Sequence, residues 1–120
     1  MKHPVSLKKN TEFENVYHKG RSYANRLFVM YALPNQEPEL RLGISISKKV
    51  GNSVKRHHLA RMIRENVRLS EEMLKNRFDI VVVARVAAKN ADYHQIESAL
   101  MHLADLHHLI IKKENKSETG

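Results

Sequence analysis

The 120-residue chain contains no cysteine and no tryptophan. Without cysteine there is no disulfide framework and no thiolate metal site, a composition that fits a reducing compartment. No unbroken apolar run approaches the roughly 20 residues needed to cross a bilayer. The first ten residues, MKHPVSLKKN, lack the apolar segment of a signal peptide. A cytoplasmic protein is expected. Aromatic residues are only 6% of the chain. A membrane-surface protein would need a large aromatic or leucine face beside its basic one. Residues 1–120 are expected to form one domain with a single modest core.

Acids are also missing where bases are densest. The stretch Lys48 to Arg68 reads KKVGNSVKRHHLARMIRENVR. It holds seven lysines and arginines against the single acid Glu65, so it carries +6 of the formal +8. The rest of the chain has 14 basic and 12 acidic side chains. A local excess of this kind points to a phosphate-binding surface, and so to nucleic acid. Residues 48–52 read as a loop in which Gly51 is free to take positive φ. Asn52 or Ser53 then caps an amphipathic helix. Leu59, Ala60, Ile63 and Val67 share one side of it, and His57, Arg61, Arg64 and Arg68 form a stripe opposite. Arginine suits this role because its planar donors grip phosphate oxygens in pairs. The alternative is a plain solvated face, but few acids are interleaved to form i, i+4 ion pairs.

The remaining elements follow from pattern. Residues 1–9 read as a loose basic arm. Thr11 and Glu14 form a capping box that starts a short helix, with Phe13, Val16 and Tyr17 on one face and Gly20 at its end. Phe13 and Tyr17 read first as ordinary core anchors. Residues 21–25 are a short strand or a turn. Residues 27–33 are apolar on both faces, the signature of a buried strand. Pro34 to Pro38 is a turn. In the strand that follows, Leu40, Leu42, Ile44 and Ile46 alternate with Arg41, Gly43, Ser45 and Ser47. The small residues leave an open face on which something can lie. These two strands are expected to form an antiparallel hairpin. Residues 70–75 continue the basic helix or turn irregularly. Phe78 to Ala84 is an apolar strand, so 40–47, 53–69 and 78–84 make a βαβ unit. Asp92 caps a last helix, and residues 112–120 read as a disordered tail.

Catalytic machinery of its own is not evident. The eight histidines form no HExxH-like set with a carboxylate in reach. His57 and His58 diverge by about 100° on a helix. No paired-carboxylate run is present to hold two Mg²⁺ ions, and there is no GxSxG or Walker loop. No intrinsic metal site is expected.

In the segment Leu42 to Glu65, LGISISKKVGNSVKRHHLARMIRE, the chain resembles the protein subunit of bacterial ribonuclease P. The matching features are Ser47-Lys48-Lys49, Gly51-Asn52, Arg56, Arg61 and Arg64, with Phe13 and Tyr17 four residues apart upstream and the run Ser22-Tyr23-Ala24-Asn25-Arg26. Where that family has Asn then Arg after the first Arg, this chain has His57 and His58. The resemblance implies an α+β two-layer sandwich of about four strands and three helices, with a left-handed βαβ crossover (ribosomal protein S5 domain 2-like). It implies that Lys48, Lys49, Asn52, Lys55, Arg56, His57, His58, Arg61, Arg64 and Arg68 contact the catalytic RNA. It implies a cleft for the 5′ leader of precursor tRNA, made by Phe13, Tyr17, Ser22, Asn25, Tyr31 and Ser45. Mg²⁺ would be bound mainly by the RNA, which would carry out the phosphodiester hydrolysis. The partners implied are that RNA and precursor tRNA, with no membrane and no DNA. Two alternatives stand beside it. One is an RNA- or ribosome-binding module without an enzyme partner. The other is a protein-only nuclease using His57, His58 and Asp79 or Glu65.

Overall fold

A computed structural model describes residues 4–111. Five strands and three helices follow one another as β1 (Val5–Ser6), α1 (Asn10–Lys19), β2 (Arg21–Ala24), β3 (Phe28–Pro34), β4 (Arg41–Ser45), α2 (Ser53–Leu69), β5 (Phe78–Ala84) and α3 (Tyr93–Leu106). The strands form one sheet in the order β1-β4-β5-β3-β2. β1, β4 and β5 run parallel, while β3 is antiparallel to both of its neighbours.

The order overturns the expected β3–β4 hairpin, because β5 lies between the two. Strands apolar on both faces need cover on both faces, and that is available only in the middle of the sheet. β3 and β5 are such strands, and they pair along their whole lengths, Phe28 with Ala84 through Pro34 with Phe78. β4 carries Arg41, Gly43 and Ser45 on one face and is displaced outward. The connection from β3 reaches over the start of β5, where the Asn35 amide donates to the Arg77 carbonyl and the Arg77 amide to that of Glu39.

β4 would then have an open edge of unpaired backbone groups. Val5 and Ser6 fill it, so the fifth strand replaces the loose arm expected there. The Val5 amide donates to the Leu40 carbonyl at 3.1 Å and that of Leu7 to Leu42 at 2.9 Å. Leu7 is 5% exposed. An apolar anchor with two ladder bonds holds residues 4–9 in place. Residues 1–3 of that arm, and the 112–120 tail, lie outside the described residues.

The sheet separates two apolar clusters. Phe28, Met30, Leu42, Ile80 and Val82 pack with Leu59, Ile63, Val67, Ile96, Leu100 and Leu103 of α2 and α3. The other face packs Val81 with Leu7 and Val16, bordered by Phe13, Tyr17, Tyr31, Leu33 and Val83. α1 thus lies alone on its side of the sheet. Its start is one residue earlier than Thr11, and the cap is different: Glu12 Oε1 accepts from the backbone amides of Lys8 at 2.8 Å and Lys9 at 3.0 Å. At its end Gly20 is extended, with φ −83°. The reason for glycine there is space, since a Cβ would stand 2.6 Å from the Val16 carbonyl oxygen. α2 is capped by Asn52, whose Oδ1 accepts from the Lys55 amide at 2.9 Å. It ends at Leu69, and residues 71–73 form a 3₁₀ turn.

Candidate nucleic-acid interface

Strand register lays out the α1 side of the sheet as cross-strand rows. Ser22, Tyr31, Val81 and Gly43 form one row; Ala24, Val29, Val83 and Ser45 form the next. α1 covers the first row. Phe13 lies against Gly43, where an added Cβ would be 2.7 Å from the ring's Cζ. Tyr17 meets Tyr31 edge-on, with centroids 4.9 Å apart, and Phe13 and Tyr17 are 6.4 Å apart. All three rings are half-buried, so each keeps an accessible face. The second row is a floor of small residues beyond the helix, with Ser45 and the two valines half-buried and Ala24 exposed. Half-buried aromatic rings thus stand beside a strip of Ala24, Val29, Val83 and Ser45. Stacking on such rings tolerates any base.

Phe13, Tyr17, Ser22, Tyr31 and Ser45 therefore share one face. Asn25 does not join them, contrary to the expectation. Its Nδ2 donates to the Ala99 carbonyl at 3.0 Å and lies 3.2 Å from His102 Nδ1, while its Oδ1 accepts from the Leu27 and Phe28 amides. It fixes the β2–β3 turn against α3, on the opposite side of the sheet.

The basic residues divide in the same way. His57, His58, Arg61 and Arg64 are exposed on α2, and Lys48 and Lys49 are exposed on the loop before it. Arg68 is engaged by the one acid of the stretch, its Nη2 donating to Glu65 at 2.8 Å. Arg56 Nε donates to the Gly51 carbonyl at 3.1 Å, bracing the loop. Gly51 does not use positive φ; a Cβ there would meet the Lys55 side chain at 2.8 Å. His58 lines a groove of about 400 Å³ with Asn52, Lys55 and Lys89. Lys89 comes from a 3₁₀ turn after β5 and was not legible as a site residue in the sequence.

Arg26 and Arg85 were also missed. With Lys49 they line a groove of about 480 Å³ that has no acid among its lining residues. Arg85 Nη1 donates to the Asn25 carbonyl at 3.0 Å. This groove lies just past the floor row, since Arg26 follows Ala24 by two positions, Arg85 follows Val83 by two and Lys49 follows Ser45 by four. The groove and the floor row thus lie at the same end of the sheet. The signal was topological: parallel neighbours β4 and β5 bring their C-terminal ends together.

The residues of a protein-only nuclease are not brought together. Asp79 lies with Arg41 on the α1 side, Glu65 is bonded to Arg68, and His57 and His58 stand on α2. Among the described residues no group of three or more His, Asp or Glu is placed to hold a metal, and no helix is long and apolar enough to cross a membrane.

The family model for ribonuclease P matches residues 1–107. The ribonuclease P protein component of Lachnoclostridium phytofermentans is 51% identical over 109 residues, covering 91% of this chain and 94% of that protein. The Staphylococcus aureus RNase P protein superposes with a TM-score of 0.83 at 40% identity, covering 89% of this chain and 98% of the other. A S. aureus mutant described as having defective mRNA degradation activity gives 0.82 at 42% identity, covering 88% and 90%. An acid-poor basic surface, aromatic rings beside an open strip of sheet and these likenesses converge: the chain belongs to the ribonuclease P protein family, RNA-binding proteins of tRNA processing.

Proposed function

We propose that the chain is the protein subunit of a cytoplasmic ribonucleoprotein that removes the 5′ leader of precursor tRNA to form the mature 5′ end. The β4–α2 loop and the exposed side of α2 bind the catalytic RNA through its phosphates, with Arg61 and Arg64 as the freest arginines. Phe13, Tyr17 and Tyr31 wall the cleft that takes the single-stranded leader; Ser45 supplies a hydroxyl at its floor and Ser22 one beside Tyr31. Mg²⁺ and the hydrolysis of the phosphodiester belong to the RNA; the protein positions the substrate. The observation that carries this reading is that the strip beside the aromatic rings and the acid-free cationic groove lie at the same end of the sheet. On this reading a strand stacked over Val29 and Val83 runs on toward Arg26, Lys49 and Arg85.

Reconstitution tests it. Added to a bacterial ribonuclease P RNA at low Mg²⁺, the chain should restore cleavage at the mature 5′ end. The chain alone should not cut there at any Mg²⁺ concentration, and site-specific cleavage without RNA would overturn the assignment of chemistry to the RNA. The same RNA-free sample, offered an mRNA, asks whether this chain shares the activity implied for the S. aureus relative.

A further inference from the structure

At the end of the cleft far from the cations lies an ionic chain. Asp79, the second residue of β5, is 2% exposed. Arg41 grips it with two donors, Nε to Oδ1 and Nη2 to Oδ2, both at 2.8 Å. Asn35 Nδ2 adds a third donor to Oδ1 at 2.6 Å. A carboxylate held this way cannot turn, so the guanidinium is aimed too. Its remaining nitrogen, Nη1, faces Glu12 Oε2 at 3.7 Å. The other Glu12 oxygen caps α1 by accepting from the Lys8 and Lys9 amides. Those backbone donors, Lys9 first and then Lys8, hold the Glu12 carboxyl below its ordinary pKa, and the Arg41 charge adds to them. Each carboxylate and the guanidinium between them is thus held in one orientation.

The position of this chain gives it meaning. Glu12 is adjacent to Phe13 in the first turn of α1. Arg41 is two residues before Gly43 on the same face of β4, so the ion pair stands one row from the seat of the Phe13 ring. α1 itself is held to the sheet by one fully buried side chain, Val16, and by half-buried rings. Apolar packing of that kind is non-directional, whereas the ionic tether is oriented. We propose that Glu12, Arg41 and Asp79 are positioning residues that fix the stance of α1 over the sheet, and so the width of the cleft and the exposure of its aromatic wall. The inference rests on the leader-cleft reading and adds how that cleft is held open.

The test uses the reconstituted holoenzyme and two precursors, one with a leader of several nucleotides and one without. Glu12→Gln keeps an oxygen to cap Lys8 and Lys9 but removes the charge that faces Arg41. The double variant Arg41→Met/Asp79→Leu removes the buried pair together, which avoids a stranded buried charge. Should the double variant unfold, Glu12→Gln decides alone. Because the chain has no cysteine, spin labels at Asn15→Cys on α1 and Ser98→Cys on α3 report the stance of α1 directly. Expected are a broadened label distance and a three- to fivefold loss, roughly, in leader-dependent discrimination, with affinity for the catalytic RNA unchanged. Broadening with discrimination intact overturns the proposal, and so does weakened discrimination at an unchanged distance, which would mean that these residues touch the leader themselves. Phe13→Ala is the control: if it too leaves discrimination intact, the leader-cleft reading fails, whatever the tether does.

Discussion

Gly43→Ala places one methyl group between β4 and the Phe13 ring. The added Cβ would stand 2.7 Å from Cζ, 2.8 Å from Cε2 and 3.3 Å from Leu7 Cδ1. Carbon atoms pack at about 3.5–4.0 Å, so the ring must retreat by roughly 1 Å. It is half-buried, so it can move outward at the low end of the ~1–3 kcal/mol that overpacking costs. Gly43 is not at positive φ, so alanine also gains about 0.4–1 kcal/mol by restricting the unfolded chain. The two nearly cancel, and the melting temperature should move by only a few degrees. Binding should move far more. A displaced ring loses its stacked base, worth ~1–3 kcal/mol, or about 5- to 150-fold in affinity. The assay is affinity for leader-bearing and leaderless precursor at fixed Mg²⁺ and salt, with melting followed by circular dichroism. In Gly43→Ala/Phe13→Ala the steric conflict disappears but the ring and its packing against Leu7, Val16 and Val81 are gone, so leader affinity should stay low and stability should fall. Unchanged discrimination in Gly43→Ala, and again in Gly43→Ala/Phe13→Ala, with the effects confined to melting, would show Phe13 to be core packing alone.

Three further outcomes are expected. Phe13→Ala and Tyr17→Ala should each weaken leader-bearing precursor by ~1–3 kcal/mol while barely touching mature tRNA; equal losses for both RNAs would return the rings to the core. Arg61→Ala and Arg64→Ala should each flatten the log–log salt dependence of catalytic-RNA binding by about 0.7–0.9 for every phosphate no longer neutralised, and an unchanged slope with a lower melting temperature would make the stripe structural. His107 lies edge-on to Tyr23 at 4.7 Å with Nε2 2.8 Å from the Met30 carbonyl oxygen. Burial holds its pKa below the ordinary value; the Met30 carbonyl opposes this, and the charges of Arg21 and His108 reinforce it. The unfolded chain therefore takes up the proton first. The stability that His107 contributes is complete above its unfolded pKa of about 6.5 and is lost as pH falls through the lower folded value. Melting midpoints from pH 7 to 4.5 should fall more steeply for wild type than for His107→Gln, and parallel profiles would remove His107 from the linkage.

How much of this could be read in advance depended on the range of the signal. The basic helix was legible because its pattern repeats within 17 residues, and its Asn52 cap sits beside it. The β3 and β5 strands were legible from their two apolar faces. Strand order was not, because the rule that puts doubly apolar strands in the middle acts only after the whole set of strands is known. β1 is two residues long, too short for any period; only Leu7, a lone apolar residue in a basic run, hinted at it. Gly20, Gly43 and Gly51 were readable as glycines but not as to purpose. Each makes room for a distant or neighbouring atom, and none uses positive φ. Asn25 belonged to the right motif, yet its side chain faces the wrong side of the sheet. The motif fixes the turn, and the turn decides where Arg26 points.

The change to His57 and His58 can be weighed on the same basis. On the proposed function, a fixed guanidinium at 58 would be one cation among those offered to the RNA. In its place stands an imidazole, but the groove it lines also contains Lys55 from its own helix and Lys89 from the turn after β5. That groove keeps two permanent charges and no acid among its lining residues. Phosphate interactions sum along a surface, so exchanging one member of a set of three alters the total by a fraction. The aromatic wall has no such redundancy: Phe13 sits on the one row position without a side chain. For this chain, substitutions at 58 should be tolerated where substitutions at 43 are not.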